Sequence, residues 1–352
     1  MRIVLAAVAA VLLMSAPASA QAQVQTGQKS GLTKMLEAEL GRFAGPGGPY
    51  KGGIYVKHMT TGEEAAVNAN DHFETASTFK LAMMVMAYQM QDRKELDLNA
   101  RYVIKPSDMR GGSGVFRYHD MGGNPTWRDI ITQMVITSDN VATDLMIAKV
   151  GGVAKINEWL KAQGYTVFHV NSTVFEFFRQ RYEVANPANA KLTTEELFSL
   201  MSDVPMFVNP RKDMIARIGA EVSQKRVADE MLKRRSQEQY WLAMVSPAEM
   251  GRFLEGIEKN TIASKEACEE MKRIMLRQQA GTRKIPHWLS VPVAHKTGEV
   301  GGVSNDVGMI YAKSGPILMA FYTLGYTGLA ADADDNLGRV ARMVVEYFDG
   351  AN

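Results

Sequence analysis

Glu74-Thr75-Ala76-Ser77-Thr78-Phe79-Lys80, running on into LAMMVMAYQM over residues 81–90, carries the strongest signal in the chain. From Phe79 to Met90 the run is nearly all apolar, with no polar stripe. A helix that is apolar all round is buried on every side. Lys80 breaks that pattern. An ammonium in such surroundings is costly unless it is paired or neutralised. Ser77 lies three residues earlier, and at a helix start that spacing puts hydroxyl and amine on one face. Backbone N–H groups at a helix N-terminus can stabilise an oxyanion. A lysine held neutral can take a proton from a serine. Ser77 and Lys80 are therefore candidates for a nucleophile and its base.

Working outward, GGIYVKHM (52–59) and EEAAVNAN (63–70) flank Thr61-Gly62 and read as a hairpin. Residues 31–44 have helical apolar spacing, broken by the Gly/Pro-rich run 45–53. On the other side, 126–136, 140–149 and 153–163 read as helices punctuated by Gly151-Gly152 and Gly164. Residues 165–245 are mixed and then charged; KRVADEMLKRR (225–235) reads as a solvated helix face. Ser246-Pro247 opens a helix, and 264–279 follows as another. Three strand-like runs come next: VPVAHKTG (291–298), SNDVGMIYA (304–312) and PILMAFYTLGY (316–326). Asn336 to Phe348 closes the chain as a helix. Strands and a helix at both ends imply an α/β (α+β) layer over 21–74 and 246–352. A helical domain, 75–245, is inserted into it, with an extended loop region at 165–245.

Composition narrows the function classes. The 352 residues are 46% hydrophobic and 22% charged, ordinary globular usage. Lys+Arg is 40 against Asp+Glu 38, so a net charge of +2 argues against nucleic acid as a partner. One cysteine, Cys268, leaves no internal disulfide and no Cys-rich zinc site. The 23 methionines read as adaptable core filling. The six histidines show no paired metal spacing, so no metal is expected. Met1-Arg2, the apolar run Ile3–Met14 and Ala18-Ser19-Ala20 read as a signal peptide over 1–20. A periplasmic or secreted monomer, free of the membrane after cleavage, is the expected state.

Two further motifs carry chemistry. Ser138-Asp139-Asn140 suits an N-cap, because a helix follows. It also offers a hydroxyl as proton relay and an amide as substrate ligand. Lys296-Thr297-Gly298 offers a cation and a hydroxyl for a carboxylate, and a glycine that lets a substrate approach the strand. Gly111-Gly112-Ser113-Gly114 lacks the Gly-Lys-Ser/Thr of a phosphate loop and reads as a turn at the site rim. His295 precedes Lys296 but faces the other way on a strand, so it reads as structural.

The three motifs in this order resemble the class A β-lactamase-like serine hydrolase family. The likeness extends through ETASTFKLAMMV, the segment from Gly111 to Gly152, and VAHKTGEVGGVSNDVGMIYA. It implies an antiparallel sheet flanked by helices with an inserted all-helical domain. It implies that Ser77 is acylated with Lys80 as base partner, and that Ser138 passes a proton to the leaving nitrogen. Asn140 would bind the substrate's side-chain amide, and Lys296 and Thr297 its carboxylate. The oxyanion hole would be the backbone N–H of Ser77 and Glu299, next to Gly298. Ser113 to Phe116 would line the cleft.

The chain departs from this family where a loop glutamate should activate water. The pattern Glu-x-x-Leu-Asn is absent; Glu176 lies at about the expected distance, and Glu183 is a second candidate. The stretch from Asn140 to Ser246 is also longer than the resemblance implies. The leading expectation is a serine β-lactamase that needs no cofactor and takes a β-lactam as substrate. The alternatives are a D-alanyl-D-alanine peptidase or esterase of the same fold, and a penicillin-binding sensor that stays acylated.

Overall fold

The structure, a computed structural model, describes residues 30–43, 51–201 and 223–350. The expected signal peptide over 1–20, most of the Gly/Pro-rich break and the middle of the long 165–245 region lie outside the described residues.

The predicted hairpin forms strands β1 (Lys51–His58) and β2 (Glu64–Val67), paired antiparallel with Ile54 opposite Val67. The three later runs form β6 (Val293–Val300), β7 (Val303–Ala312) and β8 (Gly315–Leu324). They join the hairpin in one antiparallel sheet, ordered β2-β1-β8-β7-β6. An antiparallel sheet often shows water one polar face. Here β8 is almost wholly apolar, with Thr323 as its buried polar residue, because both faces are covered. Ile317, Met319 and Phe321 join a core with the first helix, α1 (Gly31–Phe43), and the last, α11 (Ala330–Asp349). Leu318, Ala320 and Tyr322 alternate with them into the larger core on the other face.

That larger core is centred on α2 (Lys80–Asp92), whose residues from Lys80 to Tyr88 are all buried, as its unbroken apolar run requires. Around it pack α3 (Trp127–Ile136), α4 (Asn140–Lys149) and α5 (Gly152–Ala162). Thr126 and Asp129 close a reciprocal capping box on α3. The 165–245 region holds α6 (Val174–Ala185), α7 (Thr194–Met201) and α8 (Gln224–Lys233). Helix α8 carries the Lys225–Asp229 and Lys233–Glu230 ion pairs. Helices α9 (Pro247–Glu258) and α10 (Lys265–Met275) complete the larger core.

The block expected to be all helical also contributes two strands to a small sheet whose third strand lies just before it. β3 (Phe73–Glu74), β4 (His169–Val170) and β5 (Ala243–Val245) form a second small sheet, ordered β3-β5-β4. Strands of two or three residues have no period to read, so only their pairing reveals them.

Candidate active site

Both sheets grip the chain just before Ser77. The Thr75 N–H donates to the Ala243 carbonyl on β5 at 3.0 Å. From β7, Asn305 Nδ2 donates to the Glu74 and Thr75 carbonyls at 2.8 and 3.1 Å. Ser77 then sits in a single 3-10 turn, Ala76–Phe79, which runs directly into α2. Ala76 adopts φ 43°, a left-handed conformation uncommon outside glycine. Strained backbone of this kind persists where surroundings hold it and clusters at functional sites.

Lys80 is fully buried, and its Nζ donates to the Ser138 carbonyl at 2.6 Å, Ser138 Oγ at 3.2 Å and Asn140 Oδ1 at 2.9 Å. Burial lowers its pKa to about 7, against the pull of Asp139 and Asp144. Lys296, also fully buried, donates to Ser138 Oγ at 3.0 Å and to the Thr297 carbonyl at 2.9 Å. Burial, and then the like charge of Lys80, hold its amine well below the usual lysine range. Ser138 Oγ therefore accepts from two amines, which frees its own hydrogen for a third group.

Asp139 places this serine. One carboxylate oxygen caps α4 by accepting the Ala142 N–H at 2.9 Å. The other accepts the Val115 and Phe116 N–H groups at 2.6 and 2.8 Å. Ser138 is thereby held at φ 57°. Ser113 Oγ donates to the Ser138 carbonyl at 2.7 Å, and the Gly111 carbonyl accepts from Asn140 Nδ2 at 2.9 Å. The Gly111–Gly114 segment is thus a rim turn tied to the second motif. Beyond Ser113 the chain turns inward to Asp139 and leaves the cleft.

Strand β6 lies hard against the Ser77 turn. A Cβ on Gly298 would stand 2.5 Å from the Thr75 carbonyl oxygen and 3.1 Å from the Ser77 nitrogen, so only glycine fits. Beside it, Glu299 turns its exposed carboxylate to Lys284 Nζ at 2.9 Å. Lys284 is fully buried and also bonds Ser304 Oγ at 2.6 Å. It also pairs with Asp334 at 3.1 Å, and nothing in its local sequence marks it, because its three partners come from other segments. His295 is buried with Nδ1 2.9 Å from the Asp306 carboxylate, a structural contact behind the strand.

Ser77, Ser138, Asn140, Thr297 and Glu299 line one cavity of about 350 Å³, with Lys80 and Lys296 beneath Ser138. Helix α6 closes its far side with Val174, Phe177 and Phe178. Glu176 does not join them. It lies on another face of α6, where its carboxylate takes Arg179 Nε and Nη2 at 2.9 and 2.6 Å. Glu183 bonds the same guanidinium at 3.2 Å. The helix phase is set by Asp144, which accepts the Val174 and Phe175 N–H groups at 2.7 and 3.0 Å and Arg110 Nε at 2.6 Å. Asp144 thus holds Val174 at the cavity wall. Among the described residues, Glu299 is the only acidic residue lining the cavity, and its carboxylate is turned to Lys284. No group of three or more His, Cys, Asp or Glu side chains is placed to hold a metal, and no helix is long and apolar enough to cross a membrane, among those residues.

Comparison with known proteins bears on the family and the fold. β-Lactamase L2 of Stenotrophomonas maltophilia is 27% identical over 115 residues, 33% of this chain; the match spans 38% of that relative's length. The β-lactamase of Sphaerobacter thermophilus superposes with a TM-score of 0.66 at 21% identity, covering 89% of this chain and 97% of that one. A PBP-A variant solved as an acyl-enzyme complex with penicillin G superposes at 0.66 and 19% identity, covering 90% of this chain and 96% of that one. At these identities the two structures show a shared fold. The model of the β-lactamase enzyme family matches residues 33–348, so the chain belongs to that family.

Proposed function

We propose that this chain is a serine hydrolase that opens β-lactam rings through an acyl-enzyme on Ser77. The observation that carries the reading is Ser138 Oγ, 3.2 Å from Lys80 Nζ and 3.0 Å from Lys296 Nζ at the base of the cavity that Ser77 lines.

Lys80, with a pKa of about 7, is substantially neutral at neutral pH and accepts the Ser77 proton. Ser77 Oγ attacks the lactam carbonyl. The Ser77 and Glu299 N–H groups receive the oxyanion. The C–N bond then breaks, and Ser138 passes its hydrogen to the departing nitrogen and is reprotonated from Lys80. Lys296 and Thr297 hold the substrate carboxylate, and Asn140 the side-chain amide. An ester on Ser77 remains, and water must hydrolyse it. Arg179 holds Glu176 away from the cavity, so the activation of that water is the weak step. The acyl-enzyme is long-lived for this reason. The chain's signal-like start supports export to the periplasm or medium.

A second reading shares the first half-reaction and differs in substrate: a D-alanyl-D-alanine peptidase. The Val174, Phe177 and Phe178 wall favours it, because it presents no carboxylate to the ester. One experiment separates the two. Intact mass is followed after mixing with a penicillin, and drug loss is followed in the same tube. An adduct of one drug mass, absent in Ser77→Ala, with slow drug loss is expected. No adduct and no drug loss would sink the β-lactam reading. A stable adduct, together with D-alanine release from an acyl-D-alanyl-D-alanine peptide, would favour the peptidase.

A further inference from the structure

A second cavity, of about 770 Å³, opens beside the first, and the two share Gly112 and Phe178 in their walls. Much of its wall is apolar, including Tyr182 of α6 and Met231 of α8. Two guanidinium groups interrupt that wall, Arg117 and Arg181. The Nε of each is buried and has no hydrogen-bond partner among the described residues. Buried donors are rarely left unpaired in a folded protein, and those that are call for an explanation.

The surrounding charges do not supply one. Arg181 Nη2 lies 3.9 Å from the buried Glu74 carboxylate, a loose pair, and its guanidinium stacks on Phe177 at 4.2 Å. Arg117 stacks on Tyr118 at 4.6 Å and donates Nη2 to that hydroxyl. It has no carboxylate partner among the described residues. Asp229, on the same wall, is held by Lys225 at 2.6 Å.

We propose that this cavity is a subsite for acyl donors whose acyl side chain ends in a carboxylate, received by Arg117 and Arg181. The proposal rests on acylation at Ser77. A side chain that leaves the Ser77 cavity past Gly112 and Phe178 enters this one, and its carboxylate meets the Arg117 and Arg181 guanidinium groups on the wall. Charge-assisted bonds of this kind are about twice as strong as neutral ones. The apolar wall takes the intervening methylenes.

The test compares a 7-glutarylamido cephalosporin with its side-chain methyl ester, which loses that charge and adds one methyl group. Acylation of the full-length protein is timed by intact mass. The acid is expected to acylate about tenfold faster than the ester, from the strength of a charge-assisted bond. Arg117→Gln should bring the ratio toward one. Glu74→Gln combined with Arg181→Gln should do the same without leaving one buried charge alone. Equal rates for acid and ester, or a ratio unchanged in both variants, would overturn the subsite and leave Ser77 acylation standing. No adduct from either compound would overturn the acyl-enzyme reading and the subsite with it.

Discussion

Lys80 does its work because of where it is buried. Its amine meets two oxygens of Ser138 and one of Asn140, with no carboxylate among its hydrogen-bond acceptors, so burial outweighs the pull of Asp139 and Asp144. Acylation needs the neutral amine, so its rate should climb through about pH 7 and level off above, in a pH series of acylation rates. Stability carries the same signature. Between about 7 and the ordinary 10.5, the unfolded chain binds a proton that the folded chain lacks. Folding stability therefore rises with pH across that window, and this contribution is lost as pH falls through about 7. A Lys80→Met variant should lack both effects; urea midpoints at several pH values check the second. Glu176 gives the opposite case. Its contacts are with an exposed helix face, so Glu176→Ala should leave the release of acyl-enzyme unchanged and cost at most about 1 kcal/mol of stability. A fall in drug turnover with acylation intact would return Glu176 to the site.

At the scale of elements, Asp144 decides what α6 shows to the cavity. It accepts the first two N–H groups of that helix and pairs with Arg110, all from a buried position on α4. Asp144→Ala strands those donors and leaves Arg110 unpaired. Breaking a buried pair from one side costs about 3–5 kcal/mol. The loss should appear in the urea midpoint, and in faster amide exchange at Val174 and Phe175 than at α3. The three catalytic motifs were legible at this scale because each is a run of consecutive residues within or beside one element, so its pattern is local. The second sheet was not. Its pairs, such as Phe73 with Val245, join positions far apart in the chain, and nothing near either residue announces the other.

Over the whole molecule, one large core joins the sheet to the helical block. Leu318 and Tyr322 of β8 share it with Met83 of α2 and Phe253 of α9. Phe253 packs its ring against Trp159, Tyr165 and Phe168 at centroid distances of 6.3, 5.7 and 5.8 Å. The division into a terminal α/β part and an inserted helical part is therefore proposed as a matter of topology, with both parts unfolding together. Phe253→Ala should cost about 3–5 kcal/mol and shift the far-UV and near-UV transitions as one. Two separated transitions would show independent domains.

The sequence by itself determined the two ends of the argument. The apolar run after Ser77 required a buried helix, and the order of the motifs at Ser77, Ser138 and Lys296 announced a serine site. It also showed that Glu-x-x-Leu-Asn was missing. Only the tertiary structure decided what stands in that place. Spacing along the chain put Glu176 at about the right distance, but a helix turns 3.6 residues per circuit, and the side chain that faces a cavity depends on how the helix is docked. Asp144 docks α6 with Val174 inward and Glu176 outward, held by Arg179. The same holds for Lys284 and for the pair Arg117 and Arg181. Their surroundings are assembled from segments far apart in sequence, and burial and charge are properties of the packed assembly.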